Sequence, residues 1–321
     1  MSSLLIAYDS MQPQKRHSVI KAQLKRRSLL PHAAAFHRFC QDEGRCTTRL
    51  QEDHFRAIVV FAELFSDEGQ YKTAEHMLGY AKESPVEASH WRKVAMLRLA
   101  ENLRNQTLVD GDSRRLKKAL RIVSHVEKNP SGVETDLWST LALLLADRGR
   151  FKEAMKYQAM VVGELTQRQD TDHPQTLEAR LELSKIQWRE GNLEVALKEQ
   201  KEIEELAVTA GNASALLQVW AALVRTHYSF DDLQTAVDLA EKVVNGRAET
   251  FGGLDMRTIV SEKDLAKCLV DLDRTSEAII VLERVEGKLR QMFDSSHQEV
   301  RDCVERLSGI REKLASSEGI I

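Results

Sequence analysis

Apolar residues recur at three- and four-residue intervals along most of the chain, and polar clusters break the pattern at short intervals. The stretch TLEARLELSKIQWREGNLEVALKEQKEI, Thr176–Ile203, is typical. It reads as two amphipathic helices joined by REGN. Such a pair cannot bury both of its apolar faces, so it needs neighbours of the same kind.

The neighbours lie in the same chain. LADRGRFKEAMKYQ (Leu145–Gln158) aligns with IQWREGNLEVALKEQ at a shift of 42. Further copies are FSDEGQYKTAEHML (Phe65–Leu78), YSFDDLQTAVDLA (Tyr228–Ala240) and LVDLDRTSEAIIVL (Leu269–Leu282). Small residues or valine pair at a spacing of twelve: Ala62/Ala74, Ala142/Ala154, Ser184/Ala196, Val224/Ala236 and Ala266/Ala278. Ala100/Ala119 follows the same logic, with seven extra residues around NQTLVDGDS. The first members step by 38, 42, 42, 40 and 42, the self-similarity of a helical solenoid. Close helix crossing requires small side chains, one on each partner. Five residues before the second small site stands Gly69, Gly149, Gly191, Asp231 or Asp273. Gly accommodates a positive φ at such a turn, and Asp is expected to cap the next helix. Pro85, Pro130 and Pro174 fall between hairpins, as expected at helix starts.

The small–small spacing, the turn Gly and the following aromatic or Leu resemble the tetratricopeptide repeat. The period near 42 and the linker DTDHPQTLEARLEL resemble the kinesin light chain in particular. FGGLDMRTIVSEKDLA and FDSSHQEVRDCVERL are weaker copies of that linker, and the likeness covers about residues 55–315. The resemblance implies an all-α, right-handed α-solenoid of about six hairpins with a C-terminal capping helix. The expected organisation is a basic N-terminal segment over 1–50 with one or two capping helices, or a degenerate repeat since Ala22 and Ala34 are also twelve apart, then a solenoid over 51–294, a capping helix over 295–315 and a disordered tail over 316–321. No GxxxxGK[ST] loop is present, and no long heptad coiled coil accompanies the repeats. The whole-protein functions of the kinesin light chain and of the nucleotide-binding signalling proteins that carry related repeats therefore do not carry over; a binding superhelix does.

The resemblance also implies that the first helix of each hairpin lines a concave wall. Counting from the small site, this face takes Arg56, Val59, Glu63, Ser66 and Asp67 from the first hairpin. The second gives Val94, Leu97, Glu101, Arg104 and Asn105, and the third gives Asp136, Ser139, Leu143 and Asp147. The fourth gives Glu178, Leu181, Lys185, Trp188 and Arg189. The fifth gives Gln218, Ala221, Arg225, Tyr228 and Ser229, and the sixth Val260, Lys263, Lys267 and Asp271. The C-terminal half is basic and aromatic, the composition of binding anchors. The candidate groove is Lys185, Trp188, Arg189, Arg225, Tyr228, Lys263 and Lys267, with Lys185, Arg225 and Lys267 expected to form a cationic row whose counter-charge comes from a partner.

Charge refines this picture. The net charge of −3 divides into +6 over residues 1–50 and −9 over the remainder, which gives no global case for nucleic acid. The longest apolar run, LALLLA, is far too short to span a membrane. Four sparse cysteines point to a reducing compartment. The expected location is the cytoplasm, with the nucleus as the alternative raised by KAQLKRRSLL. His32, His37, Cys40 and Cys46 match no zinc spacing, so no metal or cofactor is expected. GxSxG, HExxH, GxGxxG and CxxC are absent. His227 beside Tyr228 is the one conceivable proton-transfer pair; His227 is expected to face the packing side. Trp91, Trp138 and Trp220 are expected to fill the core or cover helix starts. The leading function is a non-catalytic adaptor or scaffold for an extended acidic/aromatic peptide or partner helix, in an oligomeric state the residues leave open. The alternatives are a small-molecule-binding or catalytic solenoid, and a sensor array beside a separate nucleotide-binding protein.

Overall fold

The structure, a computed structural model, describes residues 29–42, 52–67, 70–83, 90–127, 133–295 and 297–318. Ala22, Gly69, Pro85, Pro130 and the segments 1–28 and 319–321 lie outside the described residues. The described residues form fourteen helices and no strand. In chain order they are α1 (Leu30–Asp42), α2 (Glu52–Asp67), α3 (Tyr71–Glu83), α4 (His90–Asp110), α5 (Arg114–Glu127), α6 (Glu134–Asp147) and α7 (Phe151–Arg168). They continue with α8 (Pro174–Glu190), α9 (Leu193–Thr209), α10 (Ala213–Ser229), α11 (Leu233–Phe251), α12 (Met256–Asp271), α13 (Thr275–Met292) and α14 (Gln298–Glu318). The chain divides into two compact units, Met1–Arg168 and Gln169–Ile321. Residues 316–318 continue the final helix instead of beginning a tail.

Consecutive helices pack as pairs, and the small residues sit where the pairs cross. Ala62, Ala74, Ala100, Ala119, Ala142 and Ala154 are buried in the first unit. Ser184, Ala196, Val224, Ala236, Ala266 and Ala278 are buried in the second. No bulky side chain fits at these crossings without forcing the helices apart. One core cluster runs from Leu29 to Leu144 and another from Leu177 to Ile310. Trp91 and Trp138 pack against the first cluster and Trp220 against the second.

The turns follow one geometry with two residue types. Gly149 and Gly191 have φ of 73° and 96°, and Asp231 and Asp273 have φ of 61° and 60° at the same repeat position. Asp is therefore the left-handed turn residue here, not the helix cap expected from its chemistry. Its short polar side chain tolerates a conformation that branched residues resist. The capping duty passes one residue on: Asp232 accepts from the Thr235 N–H at 3.4 Å. Between hairpins, Pro174 opens α8 behind the N-cap His173, and Asp255 caps α12.

The extra residues of the second hairpin are not a loop. They extend α4 to 21 residues, leaving only Gly111–Ser113 as the turn. Asn102, Leu103 and Gln106 on this extension are buried, which keeps the added turn helical. In the second unit, Glu262 is 2% exposed and is held by Lys288 Nζ at 2.9 and 2.8 Å and by Arg284 at 3.5 Å. A buried carboxylate needs such partners, because desolvation otherwise outweighs any gain.

Candidate interaction face

The candidate residues come from α8, α10 and α12, the first helices of three successive hairpins in the second unit. Positions one after the small site carry Lys185, Arg225 and Lys267. Positions four after it carry Trp188 and Tyr228. The two rings are fixed by hydrogen bonds that step from helix to helix. Trp188 Nε1 donates to Ser229 Oγ at 2.9 Å, tying α8 to α10. Ser229 Oγ in turn donates to the Arg225 carbonyl at 2.9 Å. The Tyr228 hydroxyl donates to Asp271, tying α10 to α12. That bond and burial push the Tyr228 phenol up to about 12, so it stays a neutral donor at any physiological pH. Lys267 Nζ stands 4.1 Å from the Tyr228 ring centroid, a cation–π contact. Trp188, Ser229, Tyr228, Asp271 and Lys267 are thus linked at the C-terminal ends of these helices.

The cationic row is less open than its spacing implies. Lys185 Nζ is 2.6 Å from Glu182 on its own helix. Lys263 pairs with Glu299 on α14. Lys267 feels Asp264, and so does Arg225. The expectation that the row must draw its counter-charge from a partner is therefore corrected: acids on α8 and α12 supply part of it, and Glu299 on α14 neutralises the neighbouring Lys263. The rule is visible in the repeat register. Glu182 and Asp264 each lie two residues before the small site, three before the cation. The matching position in the fifth hairpin is Ala222. Arg225 is exposed and has no acid on its own helix at that place. Arg189 is exposed at the end of α8.

Two further charged groups escaped the sequence reading. Arg247 of α11 donates from Nη1 to the Arg257 carbonyl at 3.0 Å and to Ser261 Oγ at 2.7 Å. Burial lowers its affinity for the proton, and the nearby Arg225 lowers it further. Asp264 is raised above the ordinary carboxylate range by burial, against the pull of Arg225, Arg247, Lys267 and Arg306. Four cations around one half-buried carboxylate leave a local positive excess. Neither Arg247 nor Arg306 lies on a first helix, so counting along first helices could not reach them.

Several positions expected on the face are instead buried. Val59, Val94, Leu97 and Leu181 are all under 9% exposed. Val59, Leu97 and Leu181 sit three residues before the small site and Val94 six before it. The open apolar position on this face is Val260, 42% exposed. In the first unit the equivalent helix ends are closed by ion pairs: Arg98 with Glu63 at 3.1 Å and Glu101 at 2.7 Å, and Arg104 with Asp147. His227 and Tyr228 do not converge. His227 Nδ1 is 2.8 Å from Asp232 Oδ2 at the following turn, while Tyr228 reaches Asp271 two helices on. No group of three or more His, Cys, Asp or Glu among the described residues is placed to hold a metal ion. No helix of the described residues is long and apolar enough to cross a membrane.

Paired helices, small residues at each crossing and a left-handed turn residue between them define a tetratricopeptide-like α-solenoid. Solved structures share the fold. A Rap protein complexed with competence and sporulation factor superposes with a TM-score of 0.52 at 13% identity, over 97% of this chain and 91% of that one. A signal-transduction ATPase with a tetratricopeptide repeat sensor from Pyrococcus horikoshii gives 0.51 at 15% identity, over 98% of this chain and 52% of that one. A kinesin light chain-like repeat protein from Podosopora anserina gives 0.48 at 20% identity, over 58% of this chain and 97% of that one. No protein-family model matches the chain. No curated protein sequence matches it.

Proposed function

We propose that the protein is a non-catalytic interaction adaptor whose second unit holds an extended acidic peptide, or one face of a partner helix, along α8, α10 and α12. The observation that carries this reading is Arg225: an exposed guanidinium without an acid on its own helix, on the same register row as Lys185 and Lys267, with Trp188 and Tyr228 on the same helices held in place by hydrogen bonds. Preorganised rings cost little ordering entropy on binding, and a guanidinium takes a carboxylate in two parallel hydrogen bonds. Lys267 and Arg247 add positive field beside it. Lys185 and Lys263 contribute less, because Glu182 and Glu299 already neutralise them. The fitting ligand carries Asp or Glu next to an aromatic residue or Leu. The Rap structure named above holds a bound factor, which illustrates the fold's capacity without specifying this chain's partner.

The test is fluorescence anisotropy with a labelled peptide in which Trp is flanked by Asp and Glu, beside a control with Lys in place of the acids. The acidic peptide should bind and the control should not. Arg225→Glu should weaken binding by about tenfold or more, a loss of at least ~1.4 kcal/mol. Lys185→Glu should have a smaller effect. Raising salt should weaken the wild-type complex, since exposed charges are screened over about 8–10 Å. Equal binding of the two peptides, or full binding by Arg225→Glu, would sink the reading.

A further inference from the structure

The first unit contains a cavity that the interaction face does not use. It measures about 320 Å³ and is lined by Lys72, Glu75, His76, Gly79, Tyr80, Leu99 and Lys118. We propose that this cavity binds the phosphate group of a small soluble phosphomonoester, with Lys72, Lys118 and His76 as its donors.

The site lies between α3, which supplies Lys72, Glu75, His76, Gly79 and Tyr80, and the hairpin α4–α5, the one that departs from the repeat, which supplies Leu99 and Lys118. That hairpin's small residues, Ala100 and Ala119, are nineteen apart instead of twelve, and the added length extends α4. That extension places buried Gln106 against α3, where its Nε2 donates to Glu75 Oε2 at 3.0 Å and to the Tyr71 carbonyl at 3.3 Å. The other Glu75 oxygen accepts from Lys118 Nζ at 2.6 Å. Burial works to raise Glu75, but the bonds from Lys118 and Gln106 prevail and hold it below its ordinary value. Glu75 is therefore a committed carboxylate that fixes the Lys118 ammonium at the cavity wall. Lys72 is exposed and has no ion pair among the described residues.

The remaining wall supplies an imidazole and a phenol hydroxyl. His76 Nδ1 lies 3.0 Å from His37 Nε2 and 3.3 Å from the Tyr80 hydroxyl. In the tautomer whose Nδ1 accepts from these neighbours, the ring proton sits on Nε2 and gives His76 an N–H to offer a ligand. Around it stand Lys72 and Glu75 on its own helix, His37 on α1, and Lys118 and Arg115 on α5.

Donor chemistry selects the ligand class. The lining contains lysines and no arginine. Arginine's planar fork suits carboxylate and phosphate alike, so the preference comes from charge: a phosphomonoester carries about −1.5 to −2 and three acceptor oxygens near neutral pH, and two ammonium groups engage it more strongly than a singly charged carboxylate. Outside the cavity, α5 presents Lys117 and Arg121 to solvent, and no acid lies in its first turn. One-signed charge of this kind steers anions toward the opening. The volume falls in the range of small-molecule pockets, so the ligand is a small molecule and not an extended chain.

The experiment is calorimetric titration of the full chain with phenyl phosphate, with benzoate, and with vesicles containing a phosphatidylinositol phosphate. Phenyl phosphate should bind with Kd below about 1 mM, and benzoate should bind about tenfold more weakly or worse. Lys72→Gln should weaken phenyl phosphate by about fivefold or more with an unchanged melting temperature, because Lys72 makes no internal ion pair. Arg225→Glu should leave phenyl phosphate binding as it is, which separates this site from the peptide face. The inference is overturned by no heat at about 10 mM phenyl phosphate, by equal binding of benzoate, or by an indifferent Lys72→Gln. Binding to the vesicles alone would also overturn it, and would assign the basic surface to a lipid headgroup.

Discussion

At the scale of single residues, backbone conformation and side-chain volume decide most of what can change. Ala154 and Ala196 have no exposed surface and sit at helix crossings. Ala154→Leu and Ala196→Leu should each destabilise by about 1–3 kcal/mol through overpacking. Unchanged thermal melts for both would show that the crossings are not there. The turn position makes a different demand. A side chain added at Gly149 or Gly191 meets nothing within 4 Å, so its cost is conformational and not steric. Asp273 already accepts the left-handed conformation with φ of 60°. Asp273→Ala should cost about 1 kcal/mol, since Ala lacks the polar side chain that eases this region, while Asp273→Gly should be neutral or stabilising. Chemical denaturation of the two variants checks the order.

At the scale of elements, the helix pairs were legible because close packing demands a residue type. A small residue at a fixed spacing can be seen in a string of letters. So can the turn position, although the role of Asp there could not: Asp caps helices and tolerates left-handed turns alike, and only the backbone separates the two. The length of α4 was not legible either, because NQTLVDGDS has turn chemistry that the burial of Gln106 overrides. The interaction face was half legible. The placement of Lys185, Arg225 and Lys267 on successive first helices follows from the register, whereas the pairing of Lys185 with Glu182 shows only in the structure, where it takes the place of a partner's charge. Burial of Val59 and Leu181, by contrast, depends on tertiary packing that the register does not encode. Asp264 was hidden for the same reason, and it carries a pH prediction. Its folded-state affinity for protons is raised, above all by burial. The folded state then binds more protons than the unfolded one between the ordinary carboxylate value and the raised one. The contribution is most favourable below the unfolded value and is lost as pH rises through the folded value. Asp264→Asn should therefore raise the melting temperature at pH 7, with a gain that shrinks toward pH 4. A gain that grows in acid would contradict the burial argument.

At the scale of the whole molecule, one question is how much chain the proposed peptide face requires. Every residue invoked for it, from Lys185 to Arg306, belongs to Gln169–Ile321. That unit has its own core cluster, from Leu177 to Ile310, and its own ordered start, with Pro174 behind the His173 cap. It ends in α14, whose Val300, Cys303, Leu307 and Ile310 are buried while Arg301, Asp302, Glu305 and Arg306 face solvent. A polar outer face of this sort is what a terminal repeat needs. In solenoids each repeat is stabilised chiefly by its own packing and its nearest neighbours, so removing distant repeats leaves local stability largely intact. A fragment of residues 169–321 is thus expected to fold alone, to melt cooperatively, and to bind the acidic peptide with an affinity within about threefold of the full chain's. It should bind no phenyl phosphate, whose proposed site lies wholly in the other unit. Circular dichroism and the anisotropy titration read both properties on one sample. A helical fragment that has lost the peptide would place an essential contact N-terminal to residue 169. An unfolded fragment would show that the second core cluster does not sustain the unit by itself.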